Sequence, residues 1–476
     1  MGERGDLEML APTGIPNFDE VFGGLPKGGL IVVAGGPGTG KTIFSASYLY
    51  YGAKKLGEPG IYISLSETRR QFYENMRMLG FDFKKLEEDG LFKFMEFITL
   101  LDAGGEMFAR ISDAVSEINA RRLVIDSLTA LTHGLKDPRE LRVFLHSFLA
   151  RTAESENRTT LVIEEIPIGR DSIGYGFEEF VASAVITLEK RLHEGRMLRI
   201  LNVVKMRGGR LERQQSLFTL DGGFKVFPYR QVKLSTRPER YKPLPVPSKG
   251  FSTGIVYLDD LLGGYPKGST IFFEINPDIP PIQTIPIFAN VLADFLSKKR
   301  PAIILPLVGL TNEDFRQILK IYGFSEEEYR NLIRIFAYEE FAEKCKLPYV
   351  LPFEYENVIE KLVVVEKELQ ERTGQSPIKL ISLDHLALNQ GMEKTLHIIN
   401  HKINRTKANE SLTIIVSQKL FPDLVDQVKS LVDLHFKLDQ LHGSLILYGI
   451  KPPTPILGIE IEQSKGYPAA ILTPII

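Results

Sequence analysis

The feature that most constrains this chain is a repeat of its own sequence at a spacing of 240 residues. The segment from Thr13 reads TGIPNFDEVFGGLPKGGLIVV, and the segment from Thr253 reads TGIVYLDDLLGGYPKGSTIFF. Identical residues recur at this one offset without a gap: Gly14, Asp19, Gly23, Gly24, Pro26, Lys27 and Gly28 return as Gly254, Asp259, Gly263, Gly264, Pro266, Lys267 and Gly268. Chance does not produce such agreement at Gly and Pro positions, so the repeat predicts two copies of one domain.

Within each copy, apolar runs of strand length alternate with helical stretches. In the first copy the predicted strands are Leu30–Ala34, Gly60–Leu65, Leu123–Ile125, Thr160–Ile163, Ala184–Leu188 and Leu198–Val204. Strands that are apolar on both faces and joined by helices are typical of a parallel sheet covered by helices. Each copy also ends in a predicted hairpin, formed by Leu217–Leu220 with Phe224–Phe227 and by Ile459–Ile461 with Ala470–Leu472. We therefore expect an α/β fold of two tandem domains, each a mainly parallel sheet flanked by helices.

A proline-rich segment separates the two copies. Between Tyr229 and Lys249, four prolines stand among charged residues, namely Pro238, Pro243, Pro245 and Pro247. Prolines at this density oppose helix and central strand, so the segment is predicted to be an extended linker. The expected organisation is a first domain over residues 1–228, a linker over 229–249 and a second domain over 250–476.

Composition and charge argue against several classes of protein. The net charge of −2 gives no overall basic character of the kind that attracts nucleic acid, although a local patch would be enough. No apolar run approaches the 18 residues needed to span a bilayer, and Met1 to Leu10 lacks the apolar stretch of a signal peptide. The single cysteine, Cys345, cannot form an internal disulfide or a cysteine zinc cluster. A cytoplasmic protein without a membrane span is the expectation.

A phosphate-binding motif follows the first predicted strand of the first copy. Its residues are Gly35, Gly36, Pro37, Gly38, Thr39, Gly40, Lys41 and Thr42, which fit the pattern G-x-x-x-x-G-K-[ST]. The glycines let backbone N–H groups point at phosphate oxygens, and the helix that follows adds its positive end. Lys41 supplies a charge for the β- and γ-phosphates, and the Thr42 hydroxyl is placed to ligate Mg²⁺. The motif predicts ATP and Mg²⁺ as ligands.

Asp126 is the expected acidic partner of this loop. It follows the apolar strand Leu123–Ile125, where an aspartate either caps a turn or holds Mg²⁺, and the upstream phosphate loop favours the second role. A later match, Arg122-Leu-Val-Ile-Asp126 with Leu380-Ile-Ser-Leu-Asp384, predicts that both copies have a strand ending in Asp. The phosphate loop itself is lost in the second copy, where Ile275-Asn-Pro-Asp-Ile-Pro280-Pro281-Ile282 lacks the glycines, the lysine and the threonine. The second copy is predicted not to bind ATP in this way.

In combination these motifs resemble the KaiC family of the RecA superfamily. The resemblance covers most of residues 11–228 and is weak in the second copy beyond its start. Its pieces are the lead-in TGIPNFDEVFGGLPKG, the phosphate loop, GIYISLSET, RRLVIDSL, GYGFEEFVASAVITLEKR and Lys205-Met-Arg207-Gly208. The resemblance implies a RecA-like core, Mg-ATP bound at subunit interfaces, and a homo-oligomeric ring, usually a hexamer.

The same resemblance implies that Lys205 and Arg207 project into the nucleotide of a neighbouring subunit and stabilise charge there. The alternative is a pair of exposed charges that alternate on an edge strand. In the second copy the corresponding segment, Ile450-Lys451-Pro452-Pro453, keeps a lysine but lacks the arginine. Asp384 is then expected to act as a turn cap, and kinase activity of the second domain is not expected.

One departure from the family pattern concerns the catalytic base. Family members commonly carry two adjacent carboxylates after the second strand, and the first is likened to the base that orients water. This chain has Ser66 followed by Glu67, so Glu67 is the remaining candidate. Removing such a base typically costs about 10²–10⁴ in rate, so slow hydrolysis is expected. In the second copy the predicted strand Ala302–Leu307 is followed by Val308 and Gly309, without an acid.

Three functions remain open from the sequence. The first is a slow, ring-forming ATPase with a regulatory or scaffold role and a possible protein partner. The second is a nucleotide-responsive regulator that barely hydrolyses ATP, as in P-loop regulators of gas vesicles. The third is a DNA-binding recombinase-like ATPase, which the acidic character of the 164–178 loop disfavours, since Glu164, Glu165, Asp171 and Glu178 oppose Arg170.

Overall fold

The computed structural model describes residues 9–97, 105–129, 158–167, 181–232, 238–305, 317, 320–337, 339, 342–343, 346–353 and 357–476. Two compact units are present. The first holds the chain up to Pro228 together with His442–Ser444 and Pro474–Ile476, and the second holds Tyr229–Leu441 and Leu445–Thr473. Several residues used in the sequence analysis lie outside the described ones: Arg170, Asp171, Glu178, Val308, Gly309 and Cys345.

The first unit is an α/β structure. Its elements are β1 (Leu10–Ala11), α1 (Phe18–Phe22), β2 (Leu25–Pro26), β3 (Leu30–Gly35), α2 (Lys41–Leu56), β4 (Gly60–Ser64), α3 (Arg69–Met78), α4 (Phe83–Glu88), β5 (Phe92–Glu96), α5 (Gly105–Ile118), β6 (Arg122–Asp126), β7 (Thr159–Glu165), β8 (Ala184–His193), β9 (Arg196–Met206), β10 (Gln215–Thr219) and β11 (Lys225–Val226). Among the described residues, the main sheet has the order β11-β10-β9-β8-β3-β7-β6-β4-β5. Strands β8 to β5 of this order are parallel, and β9, β10 and β11 extend the sheet in antiparallel fashion.

The predicted mainly parallel α/β fold is therefore confirmed. Each predicted strand of the first copy is present, but β8 and β9 are longer than predicted because they pair as a hairpin that continues past the apolar residues. Strand β5 was not predicted, since its charged residues interrupt the apolar run. Strand β3 is buried on both faces, with Ile31 and Val33 facing α2 and Val32 and Ala34 on the other face, as expected for a central parallel strand.

The elements that follow in the chain form a second mainly parallel sheet. They are β12 (Gly250–Phe251), α6 (Val256–Leu262), β13 (Tyr265–Pro266), β14 (Thr270–Ile275), α7 (Pro281–Ser297), β15 (Ala302–Ile304), α8 (Glu326–Leu332), β16 (Ile333–Ala337), β17 (Val350–Pro352), α9 (Val358–Thr373), β18 (Ile378–Ser382), α10 (Leu383–Gln390), α11 (Met392–Ala408), β19 (Leu412–Ser417), α12 (Pro422–Leu431), β20 (Leu434–Leu441), β21 (Ser444–Lys451), β22 (Leu457–Glu462) and β23 (Ala469–Pro474). In the described residues the sheet order is β17-β16-β15-β18-β19-β14-β20-β21-β22-β23. The order around β14 repeats the order around β3.

The repeated lead-in has the same local structure in both copies. The Asp19 carboxylate accepts hydrogen bonds from the backbone N–H groups of Thr13 and Gly14 (2.8 and 3.0 Å). The Asp259 carboxylate likewise accepts one from the N–H of Thr253 (2.6 Å). Gly14 has φ +76°, and a Cβ there would lie 3.2 Å from the Tyr51 carbonyl oxygen of α2, so the tight approach requires glycine. These contacts anchor the lead-in to the domain and explain why its Gly and Asp positions recur.

The segment predicted as a linker contacts the second unit. Its described residues form neither helix nor strand before Gly250. Tyr241 is buried, and its N–H donates to the carbonyl of Tyr322 (3.0 Å). The N–H of Leu244 donates to the Asp294 carboxylate (2.9 Å). Residues 241–244 are thus held by the second unit.

Candidate functional site

The loop between β3 and α2 has the backbone of a phosphate cradle. Gly38 has φ +66° and Gly40 has φ +103°, conformations that glycine adopts without strain. Gly40 is also the N-cap of the 16-residue helix α2, which has no side-chain cap and no acidic residue in its first turn. The first N–H groups of such a helix need acceptors, and a phosphate supplies them.

The glycines of the loop are needed for space as well as for conformation. A Cβ at Gly35 would lie 2.5 Å from the carbonyl oxygen of Leu188, and one at Gly40 would lie 3.0 Å from the Leu220 side chain. The Thr39 hydroxyl donates to the carbonyl of Gly36 (2.9 Å) and braces the loop from within. The local structure therefore fits the phosphate groups that the motif predicts.

Lys41 and Thr42 occupy the first turn of α2. The Lys41 ammonium donates to the carbonyls of Gly35 and Gly36 (both 2.9 Å), so the cation lies against the loop. Burial lowers the pKa of Lys41, while the charges of Glu165 and Asp126 oppose this shift. The Thr42 hydroxyl donates to Oδ2 of Asp126 (2.9 Å). The structure thus brings together Lys41, Thr42 and Asp126, which are 84 or 85 residues apart in sequence.

Asp126 ends β6 and is 9% exposed. Burial raises the pKa of its carboxyl group, and hydrogen bonds from Tyr62 and Thr42, together with the charge of Lys41, oppose this shift. The Tyr62 phenol donates to the same Oδ2 that accepts from Thr42, at 2.5 Å. A hydroxyl beside a carboxylate is a donor set that suits Mg²⁺, which usually takes one or two protein oxygens and completes its shell with phosphates and water. The described residues contain no group of three or more His, Cys, Asp or Glu side chains able to hold a metal.

Glu67 lies just beyond β4, on the edge of the sheet where β6 also ends. Its backbone N–H donates to the Ser64 hydroxyl (2.9 Å), and that hydroxyl donates to its carbonyl (2.7 Å), which fixes the turn. The carboxylate is half-buried and accepts from Asn75 (2.7 Å). Burial raises the pKa of Glu67, with the negative charge of Asp126 acting in the same direction and Asn75 opposing it. Ser66, in contrast, is exposed.

Lys205 and Arg207 lie near the amino ends of the parallel strands, whereas the phosphate loop lies at the carboxyl ends. Strand β9 is separated from β3 by β8 and runs antiparallel to both. The N–H of Arg207 donates to Ser183, whose own N–H donates to Leu30 at the amino end of β3. The loop instead leaves β3 after Gly35, about 16 Å further along the strand. An arginine side chain cannot bridge that distance, so Arg207 does not reach the loop of its own chain.

A β-bulge precedes this pair of cations. Val185 pairs with Lys205 and Ile186 with Val203, so Val204 is the extra residue of β9 and its side chain is 59% exposed. A bulge changes the face to which the following side chains point. Met206 packs on the core of the first unit, so the neighbouring strand residue Lys205 points to the other side of β9. Arg207 follows the last residue of β9 and is exposed.

The matching loop of the second copy has a different structure. Between β14 and α7, Ile279 is fully buried, Pro280 is the N-cap and Pro281 begins the helix. The cavity beside this loop, lined by Thr284 and Asp384 among others, has a volume of about 20 Å³. A volume of about 20 Å³ is enough for one water molecule.

The prediction that a strand of the second copy ends at Asp384 was wrong. Strand β18 ends at Ser382, and Asp384 lies in the first turn of α10. Backbone hydrogen bonds show that the residue in the place of Asp126 is Leu380 and not Asp384. The N–H of Leu65 donates to the carbonyl of Asp126, and the N–H of its repeat counterpart, Leu305, donates to the carbonyl of Leu380. The sequence match of Asp126 with Asp384 gave the wrong alignment because apolar residues can replace one another in a buried strand. The expected capping role of Asp384 is supported, since its carboxylate accepts from the N–H groups of Gln418 and Leu420 (2.5 and 3.2 Å).

The sequence analysis did not assign three residues near the phosphate loop to the site, and it placed one of them, Glu165, in an acidic loop although it belongs to β7. Tyr62 binds Asp126. Glu165 ends β7 beside Gly35, and its negative charge raises the pKa of Lys41. Arg199 is buried and donates to the carbonyls of Gly38 and Thr39 (3.1 and 3.3 Å). The place of Glu165 at the end of a strand next to β3 was a usable signal, whereas Tyr62 and Arg199 read as ordinary strand residues.

The comparisons with known proteins agree with this geometry. The family described as the KaiC ATPase matches residues 11–230. A UPF0273 protein of Pyrococcus furiosus is 33% identical over 238 residues, which are 46% of this chain and 95% of that protein. The circadian clock oscillator protein KaiC of Synechococcus elongatus is 32% identical over 272 residues, which are 53% of this chain and 49% of that protein. This chain thus spans about half the length of the clock protein.

Among solved structures, the crystal structure of a KaiC-like protein from Pyrococcus horikoshii is similar at 35% identity with a TM-score of 0.41, covering 46% of this chain and 99% of that one. None of the helices in the described part of the chain is long and apolar enough to cross a membrane. The match at 33% identity to 95% of the Pyrococcus furiosus protein, together with the intact phosphate loop, leads to one conclusion. This chain belongs to the KaiC-like ATPases of the RecA superfamily.

Proposed function

We propose that this protein is a slow Mg-ATPase that binds one ATP per chain, in the first unit, and hydrolyses it at an interface between copies of itself. The observation behind the proposal is the asymmetry between the two loops. The first loop presents uncapped helix N–H groups, Lys41 and the Thr42–Asp126 pair, whereas the buried Ile279 and two prolines close the second.

The groups of the first unit divide the chemistry among them. The loop N–H groups and Lys41 bind the phosphates. Thr42 and Asp126 would hold Mg²⁺, which would supply positive charge against the transferring phosphoryl group. Glu67 accepts a proton from the attacking water, because its half-buried carboxylate lies beyond β4 next to the end of β6. Burial raises the pKa of Glu67, which strengthens it as a base near neutral pH.

Completion of the site requires a second copy. Lys205 and Arg207 lie near the amino ends of the parallel strands, away from the phosphate loop of their own chain. In a head-to-tail assembly, this end of one sheet meets the phosphate loop of the next copy. A guanidinium placed there stabilises charge that develops during phosphoryl transfer. We infer a closed ring, a hexamer by family resemblance, with ATP between subunits.

The second unit serves, in this proposal, as a docking or regulatory tier without phosphotransfer. Its counterpart of the Lys205 segment is used internally, since the Lys451 ammonium donates to the carbonyl of Val432 (2.6 Å). The biological role that this arrangement supports best is regulation in the cytoplasm. In that role, a partner protein binds the ring in one nucleotide state and not in another.

Nucleotide stoichiometry tests the proposal. Titration calorimetry with Mg-ATPγS is expected to give one site per chain, because only one loop can present N–H groups to phosphates. Lys41→Ala should abolish that site. The control is Lys267→Ala, which changes the second-copy counterpart of Lys27 and should leave the site intact. Two sites per chain, or parent affinity in Lys41→Ala, would show that the assignment of the site is wrong.

A second prediction concerns the base. Glu67→Gln should lower the rate of phosphate release about 10²-fold with little change in the Kd for ATP, because the amide keeps the hydrogen bond to Asn75 but cannot accept a proton. Ser66→Ala is the matched control and should retain the parent rate, since Ser66 is exposed. The opposite pattern, with Glu67→Gln active and Ser66→Ala impaired, contradicts the role given to Glu67.

A further inference from the structure

The Asp126 carboxylate receives two hydroxyl donors on one oxygen. The Thr42 hydroxyl donates to Oδ2 at 2.9 Å, and the Tyr62 phenol donates to the same atom at 2.5 Å. Among the described residues, no side chain donates a hydrogen bond to Oδ1. Within the described part of the chain, the side-chain hydrogen bonds thus hold the carboxylate through Oδ2.

Tyr62 is fixed in place by its surroundings. It lies on β4, which pairs directly with β6, and its side chain is fully buried. Its ring contacts Phe72 (centroids 4.5 Å apart) and stacks on Phe94 (5.7 Å). These rings pack around the Tyr62 side chain and place its phenol within hydrogen-bond distance of Asp126.

The two donors differ in what else they can do. A hydroxyl has one hydrogen and two lone pairs, so Thr42 can donate to Asp126 and still offer a lone pair to a metal ion. Tyr62 is enclosed by the core, and its one hydroxyl hydrogen goes to the carboxylate. Groups that orient a metal-binding carboxylate in this way typically change metal affinity by 10–100-fold when removed.

We propose that Tyr62 is a positioning residue that orients the Asp126 carboxylate for Mg²⁺ and so sets the Mg²⁺ affinity of the nucleotide site. This inference rests on the proposed function, since it assumes that Asp126 and Thr42 hold the ion. The competing explanation is structural: a buried phenol needs an acceptor, and Asp126 supplies one. Mg²⁺ dependence separates the two, because a purely structural hydrogen bond affects folding and not the ion.

The test is Tyr62→Phe, which removes the hydroxyl and keeps the ring contacts. Binding of ADP is measured by calorimetry over a series of Mg²⁺ concentrations and also with EDTA. The expected result is an increase of about 10-fold in the Mg²⁺ concentration for half-maximal binding, with unchanged ADP affinity in EDTA. Tyr50→Phe is the matched control, since Tyr50 is a buried tyrosine of the same core whose hydroxyl accepts from Lys54, away from the loop.

A second background guards against a general loss of structure. In Asp126→Asn, adding Tyr62→Phe should not shift the Mg²⁺ midpoint further, because the carboxylate that Tyr62 orients is gone. An unchanged Mg²⁺ midpoint in Tyr62→Phe, or an equal shift in both backgrounds, overturns the proposal. If the parent chain itself shows no Mg²⁺-dependent nucleotide binding, the proposed function fails and this inference with it.

Discussion

Arg207→Ala is expected to lower the kcat of ATP hydrolysis about 10³-fold and to leave the Kd for ATP nearly unchanged. A guanidinium supplied by a neighbouring subunit acts mainly on charge that develops in the transition state, so its loss affects the chemical step more than binding. The measurements are phosphate release from radiolabelled ATP and calorimetric binding of Mg-ATPγS. Arg210→Ala is the matched control, because Arg210 is an exposed arginine three residues further along the chain.

The direction of this prediction depends on sheet topology. Arg207 is level with the amino end of β3, whereas the phosphate loop begins at its carboxyl end. A chain that cannot reach its own nucleotide can use Arg207 only in trans. Parent activity in Arg207→Ala would remove the reason for an assembled active species.

Arg122→Met is expected to lower the free energy of unfolding of the first unit by about 3–5 kcal/mol. The Arg122 guanidinium is 1% exposed and makes an ion pair with Glu58 (2.6 Å). It also donates to the carbonyls of Pro12, Thr13 and Tyr48, at 2.7–2.8 Å. Methionine fills the space but leaves these buried acceptors without a donor. Urea unfolding is measured with and without Mg-ATP, because bound nucleotide moves the unfolding transition of the first unit to higher urea concentration. The midpoint of that transition then reports the stability of the first unit.

Two controls make the Arg122 prediction specific. Arg121→Met changes the exposed neighbour and should stay within about 0.5 kcal/mol of the parent. Gly52→Ala should also destabilise, although alanine is ordinarily favoured in a helix, because a Cβ at Gly52 would lie 2.4 Å from Nε of Arg122. In an Arg122→Ala background, which removes the side-chain atoms next to Gly52, the same alanine should be tolerated. If Gly52→Ala costs the same in both backgrounds, Arg122 does not explain the glycine.

Local chemistry made much of the fold and the phosphate loop predictable. The loop is a continuous segment whose glycines have local roles, and the lead-in repeats because Asp19 and Asp259 bind their own neighbours. The apolar runs located the strands of the first sheet, since a strand buried on both faces is apolar throughout.

Long-range contacts could not be predicted from such patterns. Arg122 reads as the charged start of a strand, yet its guanidinium joins segments up to 110 residues away. Tyr62 reads as one apolar strand residue among several, and only the pairing of β4 with β6 brings its phenol to Asp126. The end of β18 was misplaced because the apolar pattern does not show where a strand gives way to a helix.

The most direct test of a site shared between copies is a mixing experiment. Lys41→Ala chains lack a working loop but keep Arg207, and Arg207→Ala chains have the reverse defect. Mixing the two variants, each inactive alone, is predicted to restore part of the parent ATPase activity, because some interfaces then pair an intact loop with an intact arginine. The restored activity should depend on total protein concentration, as assembly does. No restored activity on mixing, together with a parent rate per chain that is independent of protein concentration, would contradict the account.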